Sequence, residues 1–207
     1  MPDLRPAGEA DLAPAVVVIG PGAIGGAIAA ALTDAGNQPL ICARSRFTEL
    51  TVDHPAGCSS SAVRCVTSPA ELVDDGAVPW RSGDGAADVV VVAVKAHQTD
   101  GARDWLEALV GSETTVVVAQ NGVEQVERVR PLVSPEADVV PAVVWCPAER
   151  SAPGRIEVTG RAALVVPDHP GGRRLADLLV GSFFEVLLSN DFAARAWDKL
   201  LINAALG

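Results

Sequence analysis

Ala15-Val-Val-Val-Ile-Gly-Pro-Gly-Ala-Ile-Gly-Gly-Ala-Ile-Ala-Ala-Ala-Leu32 holds the change of pattern that decides the fold. A continuous apolar run stops at Gly20-Pro21-Gly22-Ala23-Ile24-Gly25 and passes straight into an alanine-rich helical pattern. That order reads as a buried strand, a tight turn and a helix N-terminus. Gly20 permits the turn, Gly22 lets the backbone approach phosphate oxygens, and Gly25 lets the helix lie close to the strand. The first N–H groups of a helix lack intrahelical acceptors and carry about half a positive charge between them. The turn is therefore a cradle for an anion. Glycine turns of this spacing also occur as ordinary connections in α/β proteins. A strand before and a helix after favour the pyrophosphate of a dinucleotide.

Val16 to Ile19 is the first strand, and the first helix is expected over Ala23 to Ala35, stopping at Gly36. Pro39 to Ala43 follows as a second strand, whose end faces the adenosine ribose in a dinucleotide-binding unit. An acidic residue there would accept a hydrogen bond from the 2′-hydroxyl of NAD. This chain instead has Arg44, with Arg46 close behind and no Asp or Glu before Glu49. A guanidinium suits a 2′-phosphate, so NADP (as NADPH) is expected rather than NAD. The competing reading is a solvated loop arginine.

Thr48 to Gly85 reads as surface connections, with a strand at Ala62–Val66 and a short helical turn at Pro69–Asp74. Asp88 to Lys95 is a second apolar, β-branched run and so a central parallel strand. Lys95 ends it, where strand carboxyl ends line the ligand crevice of an open α/β sheet. A helix is expected over Gln98–Val110 and a strand over Thr114–Ala119, ending in Gln120-Asn121-Gly122. Asn-Gly is a turn signal, yet here it also delivers an amide side chain to the same crevice. Glu124–Val133 is the next helix.

From Val139 the pattern changes. Val139–Trp145, Arg155–Thr159 and Ala162–Val166 read as strands separated by turns at Pro153-Gly154 and Gly160. They predict an antiparallel edge on a mostly parallel sheet. A helix over Gly172–Val180 and a strand over Glu185–Leu188 precede a last helix, capped by Asn190 or Asp191. That helix carries Ala194, Trp197, Leu200, Leu201 and Ala204 on its apolar side, and Lys199 and Asn203, four apart, share a face.

Composition bounds the partners. The 207 residues are 49% hydrophobic, enough for one well-buried domain with something small attached. A net charge of −10 without a Lys/Arg run argues against nucleic acid and anionic membrane as partners. No apolar stretch is long enough to span a bilayer, and Met1 lacks a signal-peptide pattern behind it. Residues 1–14, rich in Pro, Ala and acidic groups, read as a mobile tail. Cys42, Cys58, Cys65 and Cys146 form no C-x-x-C pair, and His54, His97 and His169 stand at no metal-ligand spacing. Free buried or half-buried thiols in a cytoplasmic protein are expected, with no metal.

The motifs, taken together, resemble the ketopantoate reductase (2-dehydropantoate 2-reductase) family. The matching stretches are Gly20-Pro-Gly-Ala-Ile-Gly25, Arg44, Val94-Lys95, Gln120-Asn121-Gly122, Pro153-Gly154-Arg-Ile and Ala196-Trp-Asp-Lys-Leu-Leu-Ile-Asn203, within roughly residues 15–207. The resemblance implies a Rossmann-type, doubly wound α/β domain over 15–190 and, over 191–207, the first helix of a truncated all-α second domain. It assigns Gly20, Pro21, Gly22, Ala23, Ile24 and Gly25 to the pyrophosphate and Arg44 to the 2′-phosphate. Lys95 and Asn121 belong beside the nicotinamide ribose and substrate, and Ala148 supplies a looser backbone contact to the cofactor. Lys199 is the implied proton donor and Asn203 a substrate-binding amide. Burial and a nearby Lys95 are expected to lower the Lys199 pKa; the plainer alternative is a snorkelling lysine on an interdomain helix.

The activity implied is NADPH-dependent reduction of 2-dehydropantoate to pantoate, in pantothenate biosynthesis. The alternatives are a non-catalytic NADP(H)-binding module or truncated relative, and a related dehydrogenase of another keto or hydroxy acid. The exposed apolar side of Trp197–Leu206 calls for a cover, such as a second copy of the chain in a homodimer.

Overall fold

The computed structural model describes residues 14–72 and 85–206. The tail expected over 1–14 (apart from Pro14), residues 73–84 and Gly207 lie outside the described residues. The first strand, β1 (Val16–Ile19), leads into helix α1 (Ala23–Asp34) and strand β2 (Leu40–Cys42). Next come β3 (Glu49–His54), β4 (Gly57–Ala62) and β5 (Arg64–Val66), then β6 (Val89–Val92), α2 (Arg103–Leu109) and β7 (Thr115–Val118). Helix α3 (Gln125–Val129) precedes β8 (Asp138–Pro141).

These strands build a six-stranded sheet of order β5-β2-β1-β6-β7-β8, parallel throughout. The order reverses between β1 and β6, the switch point where a doubly wound sheet opens its crevice. The unbroken valine runs follow from burial on both faces. Val16, Val18, Val89 and Val91 pack with α1 on one side, while Val17, Ile19, Val90 and Val92 pack with Leu106, Leu109 and Val129 of α2 and α3 on the other.

The antiparallel pairs are not an edge of this sheet. They lie in two smaller sheets, completed by β9 (Val143–Trp145), β10 (Ala148–Ala152), β11 (Arg155–Val158), β12 (Ala162–Pro167) and β13 (Phe184–Ser189). One has the order β10-β11-β3-β4 and the other β13-β12-β9. The stretch expected as one strand over Val139–Trp145 divides at Ala142. Pro141 ends β8 beside Val118, and β9 pairs antiparallel with β12.

Strands β3 and β4, expected as surface connections, form a full hairpin. Leu50 and Val52 of β3 are buried, and the four-stranded sheet covers the side of α1 turned away from the parallel sheet. Ala27 to Leu32 are therefore buried all round, which is why α1 is alanine-rich rather than amphipathic. The helix expected over Gln98–Val110 is a 3₁₀ segment at Ala96–Ala102 followed by α2, and the one over Glu124–Val133 turns 3₁₀ at Arg130–Leu132. There Pro131 has no N–H to continue the α-helical ladder. Helix α4 (Pro170–Leu178) crosses to β13, and α5 (Phe192–Leu206) follows, with Asp191 accepting at its start from Ala194 N–H (3.3 Å).

Candidate active site

At the switch point Gly20 has φ +85°, a conformation open to glycine, and a side chain there would press on Val94 N (2.9 Å). A Cβ on Gly25 would overlap the carbonyl oxygen of Gly20 and crowd Ala93 Cβ (2.9 Å), so this glycine sets the approach of α1 to the strands. Gly22 is different: beyond its own chain neighbours, nothing lies within 4 Å of where its Cβ would be. The open space it faces is a cleft of about 770 Å³, lined among others by Gly20, Pro21, Gly22, Ala23, Arg44 and Lys95. One glycine bends the chain, one seats the helix and one leaves room for a ligand. Residues and space together fit a dinucleotide. Ile24 packs against the core instead of lining the cleft.

Arg44 is exposed at the cleft and has no hydrogen-bond or ion-pair partner among the described residues. Arg46 is engaged elsewhere, with Cys65 O (3.1 Å) and the Glu71 carboxylate. Of the two, Arg44, the one expected to meet a 2′-phosphate, is the one that lines the cleft. Ala148 does not line the cleft; it is half-buried at the start of β10, beside the core. Two residues of the same hairpin line it instead, Arg150 and Pro153. Trp105 of α2 also lines it. No motif marks Arg150 or Trp105, and Pro153 stands only in the Pro153-Gly154-Arg-Ile stretch; the pairing of β10 with β11 and of β11 with β3 brings Arg150 and Pro153 there, and α2 brings Trp105.

Asn121, Lys199 and Asn203 meet in a neighbouring niche with Gln120, Gly122 and Val144. Its volume of about 10 Å³ admits no more than a water. Helix α5 is set there by Ala196, buried against Val143 and Val165. The Lys199 ammonium donates to Val144 O and lies 4.4 Å from the centre of the Trp145 ring. Burial holds the Lys199 pKa below the ordinary lysine range, and the Cys146 thiol nearby pushes partly back. Lys95 belongs to the dinucleotide cleft and is not among the causes, so the expected like-charge contribution is replaced by burial alone. Cys146 in turn is pushed up to about 11 by burial, against the pull of Lys199.

A buried amide joins cleft and niche. Gln120 Nε2 donates to Val94 O (3.0 Å) and Thr99 Oγ1 (2.9 Å), and Gln120 O accepts from Gln125 Nε2 (3.1 Å). The end of β7, with Asn121, is thereby fixed to the end of β6, with Lys95. The sequence showed Gln120 only as the neighbour of Asn121. A polar residue directly after the apolar run Val116–Ala119 was the available signal.

Residues 16–171 match the family model of ketopantoate reductase PanE/ApbA. The chain belongs to that family. Among ketopantoate reductases it is 41% identical over 197 residues to the 2-dehydropantoate 2-reductase of Mycobacterium tuberculosis, across 95% of this chain and 63% of that one. The enzyme of the same name from Caulobacter vibrioides is 39% identical over 191 residues, with 92% and 61% covered. The crystal structure of a PanE/ApbA family ketopantoate reductase from Ralstonia eutropha JMP134 superposes with a TM-score of 0.76 at 28% identity, over 91% of this chain and 61% of that one. The chain thus spans less than two thirds of the length of these family members.

Proposed function

We propose that the chain binds NADPH at the switch-point cleft and that the cleft and niche together serve reduction of a 2-keto acid, with 2-dehydropantoate as substrate and pantoate as product. The observation that carries this reading is the bridge through Gln120, which sets a dinucleotide cleft beside a niche holding an amide, an ammonium and a second amide. Relatives named 2-dehydropantoate 2-reductase support the choice of substrate.

The glycine turn and the N-terminus of α1 would hold the pyrophosphate, Arg44 the 2′-phosphate, and Lys95 and Asn121 the nicotinamide ribose. When bound, the nicotinamide supplies a hydride to the carbonyl carbon. The carbonyl oxygen then gains negative charge, which an adjacent ammonium stabilises before giving up a proton. Lys199 is suited to that role, since its lowered pKa makes proton release easier. One of its three N–H donors is held by Val144 O, which leaves two for a substrate oxygen. Asn203, on the same helix face, would then hold the substrate by its amide.

The test is keto-acid-dependent oxidation of NADPH. The reading expects turnover with 2-dehydropantoate that Lys199→Ala abolishes while NADPH affinity is kept. An active Lys199→Ala variant would refute the proton-donor role. The closed niche favours one second reading, a non-catalytic NADP(H)-binding module, and tight NADPH binding without turnover would select it.

A further inference from the structure

We propose that Arg150 is a second phosphate-binding residue of the dinucleotide cleft, reaching the cofactor from the small sheet while Arg44 reaches it from the loop after β2. This rests on the nicotinamide dinucleotide reading of that cleft.

Pairing fixes the direction of the side chain. In the antiparallel ladder of β10 and β11, Arg150 stands directly across from Ile156, and Glu149 across from Glu157. Cross-strand partners project from the same face of a sheet, and neighbours along a strand from opposite faces. Ile156 is buried and faces α1, close enough that a Cβ on Gly26 would overlap its Cδ1. Arg150 therefore shares the helix-facing side, and the two glutamates point away. Yet Arg150 is exposed, because beyond the start of α1 that face opens into the cleft, which Arg150 lines.

The hairpin carrying it is tied to the loop that carries Arg44. Thr51 N–H donates to Gly154 O (2.7 Å), and Gly154, at φ +73°, packs so closely on Phe47 that a Cβ would lie 2.9 Å from the ring. Two unpaired guanidinium groups thus line one cleft, since neither Arg44 nor Arg150 has a hydrogen-bond or ion-pair partner among the described residues. A 2′-phosphate carries a charge of about −1.5 to −2 and a pyrophosphate is also anionic, so a single arginine leaves negative charge uncompensated.

The experiment is titration of the chain with NADPH and with NADH, for the wild type, Arg150→Ala, Arg150→Gln and Arg155→Ala. Arg155 lies on the opposite face of the same small sheet and serves as a charge-matched control. Both Arg150 variants should bind NADPH about ten- to a hundred-fold more weakly, with Arg155→Ala unchanged. Loss confined to NADPH places Arg150 on the 2′-phosphate; equal loss for NADPH and NADH places it on the pyrophosphate. Unchanged affinity for both cofactors in folded Arg150 variants, or an equal loss in Arg155→Ala, overturns the proposal. A wild type that binds neither cofactor refutes the underlying reading instead.

Discussion

Two adjacent glycines of α1 show why distance alone does not rank residues. An added Cβ at Gly25 would strike the carbonyl of Gly20, while one at Gly26 would strike the end of the Ile156 side chain. Backbone in a turn cannot yield, whereas a terminal methyl can rotate away. Gly26→Ala should therefore cost about 1–3 kcal/mol, and Gly25→Ala should cost more and remove dinucleotide binding. Urea midpoints and an NADPH titration of the two variants would show this, and a more damaging Gly26→Ala would contradict it. Cys146 makes a pH prediction. Its thiol, raised to about 11 when folded against an ordinary 9.0, keeps a proton that the unfolded chain loses. It contributes stability below pH 9 that is lost as pH rises through the folded pKa. In denaturation between pH 9 and 11, Cys146→Ala should show a shallower decline than the wild type. The neighbouring Lys199 has a lowered pKa, so reduction should fade on the alkaline side at a pH below 10.5. All four cysteines are free, but Cys58 is exposed, because its strand β4 has one face in solvent.

The strand ends of β6 and β7 work as a pair through Gln120. In Gln120→Leu, Val94 O and Thr99 Oγ1 lose their buried donor, at a cost of about 1–3 kcal/mol. Lys95 and Asn121 also lose their shared anchor. The variant should show a lower thermal midpoint and a raised KM for the keto acid; a KM unchanged in a destabilised variant would make Gln120 a purely structural residue. At this scale the sequence was legible wherever burial was two-sided or strictly periodic. The valine runs of β1, β6 and β7 and the alanine face of α1 required no tertiary knowledge. Strand β4, Gly57-Cys-Ser-Ser-Ser-Ala, has almost no β-forming residues, and its pairing with β3 alone makes it a strand. Its partner did carry a signal: Leu50 and Val52 alternate with polar neighbours, and Pro55-Ala56-Gly57 marks the turn. The break at Ala142 was invisible because both halves of the stretch are equally apolar.

Across the molecule, the residues of the switch-point cleft were more legible than those of the niche. The turn of Gly20, Gly22 and Gly25 is written locally, while Arg150 reaches the cleft because its partner strand β11 pairs with the distant β3. Lys199 and Asn203 were singled out by resemblance, and the structure brings them to Asn121. The outer side of α5 stays uncovered: Trp197 is 55% and Leu201 65% exposed. An apolar surface of this kind marks a contact site, so Leu201→Glu should shift the chain toward the monomer in analytical ultracentrifugation. A wild type that is already monomeric would exclude self-association through this face. No described helix is long and apolar enough to cross a membrane. Calorimetric titration of the chain and its Arg44→Ala variant with NADPH and NADH decides whether the switch-point cleft is built for NADPH. NADPH should bind about tenfold or more tightly than NADH, and Arg44→Ala should remove that preference without weakening NADH. Equal affinity for the two cofactors in the wild type, or a preference that survives Arg44→Ala, would contradict it.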